Sequence, residues 1–172
     1  MQLDFKIDKL THSIENAKTG DSFRTNVLPI TKNDLRQITK SNGWKFDWKA
    51  EISPINEVYK LIIEHNTTII QGLISLSIER DYVFVNLLEN APFNVGKNKM
   101  YQGVAGNLMA YACQISFLHE FEGYVAFEAK TKLIEHYKGS LGAIHVGNQR
   151  MIIQSKEALW LVNKYFYNLL NR

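Results

Sequence analysis

Cysteine, proline and long hydrophobic runs are scarce in this sequence. Among 172 residues there are one cysteine, Cys113, and three prolines. A single cysteine cannot form an intramolecular disulfide, and no apolar stretch is long enough to span a bilayer. The first residues, Met1 to Lys6, lack the apolar core of a signal peptide. These absences predict a cytoplasmic protein that has no membrane partner.

An excess of charge of one sign is also missing. The 20 Lys and Arg residues nearly balance the 17 Asp and Glu residues, which leaves a net charge of +3. This excess is compatible with an anionic ligand but is too small to indicate nucleic acid, and no dense basic run or RNA-recognition motif is present. The histidines are dispersed, with no pair at metal-ligand spacing, so we expect neither a metal nor a nucleic-acid partner. These histidines are His12, His65, His119, His136 and His145.

The hydrophobic pattern predicts one mixed α/β domain. Apolar residues make up 45% and charged residues 22% of the chain, which suits a single compact domain. Residues 1–25 are polar and uneven, which predicts a short helix or a loosely packed arm. Three β-like runs separated by short turns predict an antiparallel meander. These runs are Val58 to Glu64, Ile69 to Glu79 and Tyr82 to Leu88.

Helices alternate with strands in the rest of the chain. A strand followed by a crossover helix and another strand brings the two strands side by side in parallel, so the sheet should be mixed. The predicted elements are a helix capped by Thr31 that stops near Gly43, a helix from about Val104 to Leu118, a strand from Gly123 to Phe127, a helix from Lys130 to Leu141, a strand from Arg150 to Gln154 and a helix from Ser155 to Leu170.

Two glycines mark the start of the predicted helix at Val104. Gly103 and Gly106 let the backbone approach a ligand closely, and the first amides of a helix have no intrahelical acceptor. Because the helix dipole also favours negative charge at this end, the segment from Gln102 to Asn107 is a candidate pyrophosphate site. The alternative is that these glycines only form a tight turn.

Three segments resemble the GNAT superfamily of acetyl-CoA-dependent N-acyltransferases. Gly103, Val104 and Ala105 match the last three places of the family's signature Gln/Arg-x-x-Gly-x-Gly/Ala, with Met100 in the first place. The segment from Val83 to Pro92 is similar to the family's fourth strand. Lys130 to Ala143 resembles the family's Asn-x-x-Ala-x-x-x-Tyr-x-x-Leu-Gly-Phe segment, with Tyr137 in the tyrosine's place. The resemblance covers roughly residues 27–153.

The resemblance implies a GNAT-like α/β fold. In this fold an antiparallel N-terminal meander precedes a βαβ unit, and helices cover both faces of a mixed sheet. We expect one domain over residues 1–172, composed of an N-terminal arm (1–25), a variable acceptor-side region (26–57), a cofactor-binding core (58–154) and a C-terminal helix (155–172). The implied function is transfer of the acetyl group of acetyl-CoA, by direct attack, to a primary amine of a small molecule or protein. The implied assembly is a monomer or a homodimer.

The family's site can be carried over residue by residue. Acetyl transfer needs a neutral amine, a polarised thioester carbonyl and an acid for the departing thiolate. Glu89 is the expected base, because partial burial beside apolar strand neighbours would raise its pKa, and Tyr137 is the expected acid. The expected cofactor-binding residues are Leu87, Leu88, Asn90, Gln102, Gly103, Val104, Ala105, Gly106, Asn107 and Lys130.

Each assignment has an alternative that the sequence leaves open. Glu89 could be a solvated glutamate at a strand end, and Tyr137 could be a core residue because it shares a helical face with Leu133 and Leu141. The departures at Met100, Lys130 and Leu133 from the family's pattern keep open a catalytically silent acyl-CoA-binding protein. A nucleic-acid-binding module is the less favoured third possibility.

Overall fold

The computed structural model describes residues 1–11 and 13–170, and it describes side chains as far as residue 166. His12 and residues 171–172 lie outside this range. The strands are β1 (Ile14–Asn16), β2 (Ser22–Phe23), β3 (Thr25–Pro29), β4 (Glu57–Ile63), β5 (Gly72–Ile78), β6 (Val83–Asn90), β7 (Tyr101–Gln102), β8 (Val125–Glu128), β9 (Ile144–His145) and β10 (Arg150–Ile153). The helices are α1 (Lys32–Gln37), α2 (Trp48–Glu51), α3 (Val104–Leu118), α4 (Ile134–Leu141) and α5 (Ser155–Leu170).

A seven-stranded mixed sheet forms the centre of the molecule. Its strand order is β3-β4-β5-β6-β8-β10-β9, and every neighbouring pair is antiparallel except β6 and β8. The predicted meander and the predicted βαβ unit are therefore confirmed, with α3 as the crossover helix. The parallel pairing is short, since it joins only Val83 to Val125 and Phe84 to Ala126. Past these residues β6 and β8 separate, and a gap opens between them.

Helices cover both faces of this sheet, as expected. On one face, α3 and α5 pack together and against the central strands. The apolar stripe of α3 lies in this core, and the nearby thiol of Cys113 is also buried, which raises its pKa. On the other face, Trp44 and Trp48 pack against Leu73 and Leu87. The stripe residues are Val104, Leu108, Ala112 and Ile115.

The first helix begins at the predicted cap. Thr31 Oγ1 accepts a hydrogen bond from the amide of Asp34 (3.2 Å), and Asp34 Oδ2 accepts one from the amide of Thr31 (2.8 Å), which together form a capping box. The α-helix ends at Gln37, and a 3₁₀ turn then leads to Gly43, where the helical region was predicted to stop. Burial alone would raise the pKa of Asp34, but hydrogen bonds from Lys60 and Thr31 outweigh burial and hold that pKa below its usual value.

The prediction of a short helix or a loosely packed arm for residues 1–25 is wrong. Strand β1 pairs with β2 and β7 in a second, three-stranded sheet, and Leu3, Ile7 and Ile14 are buried in the core. Apart from β2, the partners of this segment lie far away in sequence, such as Ala129 for Leu3 and Tyr101 for Asn16, and local patterns do not report such contacts. One signal was present, because Leu3, Phe5 and Ile7 alternate with polar residues at the period of a strand.

The later elements match the sequence closely. Helices α3 and α5 have the predicted bounds, and the predicted helix from Lys130 to Leu141 is a 3₁₀ turn (Thr131–Leu133) followed by α4. Gly142 ends α4 in the left-handed conformation, with a φ of 67°. Of the helices that the structure describes, none combines the length and apolar character that a membrane span requires.

Candidate active site

The candidate site lies at the end of β6, past the residues that pair β6 with β8. A cavity of about 570 Å³ lies beside the end of β6, and residues of the segment 1–11 close it on another side. From here on, the name arm is used for residues 1–11 alone. Four predicted site residues of β6 line it, at positions 87 to 90. Leu87 and Leu88 belong to the cores on opposite faces of the sheet, as expected for consecutive strand residues. Asn90 Oδ1 is buried and has no hydrogen-bond partner among the described residues.

Glu89 is held by the chain segment that follows Gly43. Its side chain is 8% exposed. Oε2 accepts a hydrogen bond from the amide of Lys45 (2.7 Å), and Oε1 accepts from the amide of Phe46 (3.3 Å) and from Trp48 Nε1 (2.8 Å). A carboxylate has about four acceptor positions, so three donors leave little capacity for a further partner. Glu89 is therefore not a solvated strand end, and it connects β6 to residues 45–48.

Tyr137 both packs and donates a hydrogen bond. Its ring is fully buried against the rings of Phe5 and Phe127, with centroid distances of 5.7 Å and 5.3 Å. Its hydroxyl donates to the carbonyl oxygen of Phe5, a residue of the arm. Burial raises the pKa of Tyr137, so the hydroxyl keeps its proton at neutral pH. The neighbouring His136 accepts from the amide of Ile7 through Nε2 (2.8 Å), and burial lowers the pKa of this imidazole.

The start of α3 has the geometry of an anion site. Gly103 precedes the helix with a φ of 91°, a conformation that glycine adopts readily. Its amide donates to Asp8 Oδ1 (3.1 Å), and Asp8 Oδ2 pairs with Lys99 Nζ (2.9 Å). The carboxylate of Asp8 is thus an anion at the predicted pyrophosphate position, and it comes from the protein itself.

The other predicted cofactor residues also contact the arm or the core. Gln102 pairs with Glu15 in the three-stranded sheet. The side-chain amide of Asn107, which follows Gly106, donates a hydrogen bond to Thr25 Oγ1 (3.0 Å). Val104 and Ala105 are buried. The structure therefore places residues 87–90 beside the cavity. In the segment from Gln102 to Asn107, Gly103 and Gly106 lie against the arm, whereas Gln102 and Asn107 contact residues that follow it.

Lys130 contacts the beginning of the arm, at Leu3 and Asp4. Its Nζ pairs with Asp4 Oδ2 (2.6 Å), and its amide donates to the carbonyl oxygen of Leu3 (3.1 Å). The sequence pattern did not indicate Asp4, Phe5 or Asp8. Each of them contacts the predicted site from, or through, a segment that was expected to be loose.

Metal-ligating residues do not cluster in the part of the chain that the structure describes. No group of three or more His, Cys, Asp or Glu side chains there is arranged to hold an ion. His12 lies outside that part.

Solved structures of acetyltransferases share this fold. Spermidine N-acetyltransferase from Vibrio cholerae, in complex with CoA and spermine, is 14% identical; the match covers 79% of this chain and 98% of that one, with a TM-score of 0.56. A dodecameric structure of the same Vibrio cholerae enzyme is 16% identical, covers 79% and 96%, and has a TM-score of 0.58. AtaTR bound with acetyl-CoA is 17% identical, covers 80% and 98%, and has a TM-score of 0.54.

Sequence comparison adds no relative. No protein-family model matches the chain, and no curated protein matches it either. The structural similarity nevertheless extends over almost the whole length of the proteins named above. The chain has the GNAT fold that the three sequence segments implied.

Proposed function

We propose that this protein is an N-acetyltransferase that moves the acetyl group of acetyl-CoA to a primary amine of a small molecule or protein. The observation that carries the proposal is the pair of parallel strands, β6 and β8, that separates beside the glycine-led start of α3. Proteins of the same fold have been solved with CoA and with acetyl-CoA. Fold alone does not establish activity, so the proposal also depends on the residues around the gap.

The residues of the gap suit the cofactor. For the pantetheine arm we propose the end of β6, at Leu87, Leu88 and Asn90, where the buried Asn90 Oδ1 lacks a partner among the residues described. For the pyrophosphate we propose the amides from Gln102 to Asn107, because the Gly103 amide already binds a carboxylate. Lys130 would add positive charge.

The proposed catalytic residues are Glu89 and Tyr137. Acetyl-CoA supplies an activated thioester when it is bound. Glu89 is the proposed acceptor of the amine's proton, and because three donors already occupy its oxygens, we expect the proton to reach it through a water molecule. Tyr137 stays protonated because it is buried, which suits the donor of a proton to the departing sulfur.

A catalytically silent acyl-CoA-binding protein is the second candidate. The observation that favours it is the arm, whose residues lie along the course proposed for the cofactor. The hydrogen bonds that hold Glu89 also favour it, since they explain the burial of this carboxylate without catalysis. The two candidates differ in turnover, not in fold.

The experiment measures binding and turnover in parallel. Acetyl-CoA is titrated into the protein by calorimetry, and release of free thiol is followed with a panel of amines that includes spermidine and a lysine peptide. We expect Tyr137→Phe to lower kcat by at least a hundredfold, because the acid is lost, without weakening acetyl-CoA binding. Tyr124→Phe is the matched control, because Tyr124 lies at the opposite end of the sheet, beside the start of β8.

The outcomes separate the candidates. Thiol release that depends on an amine and falls in Tyr137→Phe supports the enzyme and its acid. Binding without release under any amine favours the silent protein. If neither the wild type nor a variant with weakened arm contacts binds acetyl-CoA, both proposals are wrong.

A further inference from the structure

The N-terminal arm begins in the gap between β6 and β8. The amide of Leu3 donates to the carbonyl oxygen of Glu128 (2.6 Å), and the Leu3 carbonyl accepts from the amide of Lys130 (3.1 Å). Leu3 forms a parallel bridge with Ala129, and its side chain is 1% exposed. The arm therefore continues the sheet along the end of β8, at the place where β6 no longer pairs with it.

The arm then passes two side chains of α4. The carbonyl oxygen of Phe5 accepts a hydrogen bond from the hydroxyl of Tyr137, and the amide of Ile7 donates one to His136 Nε2. The proposed catalytic acid is thus engaged by a backbone carbonyl of the arm. An acid in this state cannot donate the same proton to a departing sulfur.

The arm ends on the start of α3. Asp8 accepts the Gly103 amide, and a Cβ added to Gly106 would lie 2.8 Å from Leu10 Cδ2. The amide of Thr11 donates to the hydroxyl of Tyr165 (3.1 Å), which itself lies against Gly106. Residues 1–11 consequently contact the strand gap, the proposed acid and the helix N-terminus, which are the places proposed for pantetheine, the thioester and the pyrophosphate.

The two carboxylates of the arm, Asp4 and Asp8, form ion pairs with lysines near the proposed cofactor site. Asp8 pairs with Lys99, and Asp4 lies 2.6 Å from Lys130 Nζ and 3.7 Å from Lys132 Nζ. These lysines flank the proposed course of an anionic cofactor. A pyrophosphate at the start of α3 would compete with the Asp8 carboxylate for Lys99.

We propose that residues 1–11 are a built-in competitor of acetyl-CoA, with the backbone at Leu3 in the place of pantetheine and the Asp8 carboxylate in the place of the pyrophosphate. This inference rests on the proposed function. Acetyl-CoA binds only to molecules whose arm has left the gap, so its apparent affinity is lowered by the fraction of molecules in that state. The acid Tyr137 becomes available in the same step, because the arm gives up the contact with its hydroxyl.

The first test weakens the arm by one charge. Asp8→Asn keeps the shape of the side chain but loses the ion pair with Lys99 and the charge at the α3 dipole, so we expect acetyl-CoA to bind about five- to tenfold more tightly. Asp21→Asn is the matched control with the same change in net charge. Asp21 contacts Thr19 in an exposed turn, and its variant should bind within about twofold of the wild type.

A second variant weakens the arm without changing charge. Leu3→Ser removes an apolar side chain from the gap, so this variant should also bind acetyl-CoA more tightly than the wild type does. Thermal unfolding is the check that the variant stays folded. Hydrogen exchange then reports the arm directly. Saturating acetyl-CoA should speed exchange at the amides of Leu3, Ile7 and Thr11, but not at the amide of Gln71, which donates to Leu61 within the sheet.

The results separate this inference from the proposed function. Tighter binding by both arm variants, with faster exchange in the arm, supports it, and so does binding by the variants alone. The proposal that the arm competes with acetyl-CoA is wrong if acetyl-CoA binds the wild type and the variants with equal affinity while the arm amides stay protected from exchange. The cofactor assignment stands in that case. If no variant binds acetyl-CoA, the arm is a permanent part of the fold and both are wrong.

Discussion

At the scale of single residues, Glu89 is a buried carboxylate that accepts three hydrogen bonds. It was expected to be partly buried on a strand, and it is, but its three donors come from residues 45–48. A charged group is stable in such a place only when hydrogen bonds compensate its lost hydration. These bonds tie the wall of the cavity to β6.

Glu89→Gln should lower the stability of the protein by about 1–3 kcal/mol, because an amide group turned toward N–H donors leaves at least one of them unsatisfied. Chemical denaturation measures the change. Glu135→Gln serves as the control, since the side chain of Glu135 is 85% exposed on α4. A Glu89→Gln variant as stable as the control would mean that the carboxylate does not anchor residues 45–48.

At the scale of elements, the position of α3 depends on one residue of β5. A Cβ added to Gly72 would lie 2.7 Å from Val104 Cγ1 and 3.2 Å from the carbonyl oxygen of Glu89. The absence of a side chain at Gly72 therefore lets the first turn of α3 rest on the sheet. Because Gly72 lies between Val104 and the carbonyl oxygen of Glu89, it also sets the distance between the start of α3 and the end of β6.

Gly72→Ala should destabilise the protein by about 1–3 kcal/mol, because α3 must shift to make room for the methyl group. Gly139→Ala in α4 is the opposite case. Nothing lies within 4 Å of the added Cβ there. Since alanine favours helix more than glycine does, this variant should gain about 0.5–1 kcal/mol.

Denaturant titration of the two glycine variants compares these effects within one protein. A gain for both would show that α3 can move away from the sheet at little cost. In that case the Gly72 contact would not determine where the helix begins.

The site shows how far local reasoning reaches at the scale of elements. The start of α3 at Val104 followed from Gly103 and from the apolar stripe after it, both of which are local signals. The arm did not follow, although Leu3, Phe5 and Ile7 alternate as a strand does. Its partner Gly103 is 95 residues from Asp8, and Tyr137 is 132 residues from Phe5. No pattern within a short window reports such pairs.

At the scale of the whole molecule, cofactor binding should appear as stability. A ligand that binds only the folded state stabilises it by about 2.7 kcal/mol at a hundred times its Kd. For a chain of this length this corresponds to a rise in Tm of about 5–10 °C. The affinity that matters here is the apparent one, which already includes the cost of displacing the arm.

Thermal unfolding with and without acetyl-CoA measures the shift. ATP is the control ligand, because it carries an adenosine and phosphates but no pantetheine, and we expect it to shift Tm less. Equal shifts with the two ligands would indicate a general phosphate site at the start of α3. A Tm that does not move with millimolar acetyl-CoA would contradict the cofactor assignment.

The sequence by itself determined the order and type of most elements, the mixed sheet, and the helix starts at Thr31 and Gly103. These depend on hydrophobic period, capping side chains and glycine, which act between near neighbours in the chain. The tertiary structure decided where the N-terminal arm lies, which donors hold Glu89, and what occupies the start of α3. Those contacts join segments far apart in sequence, and only the packing of the complete chain brings them together.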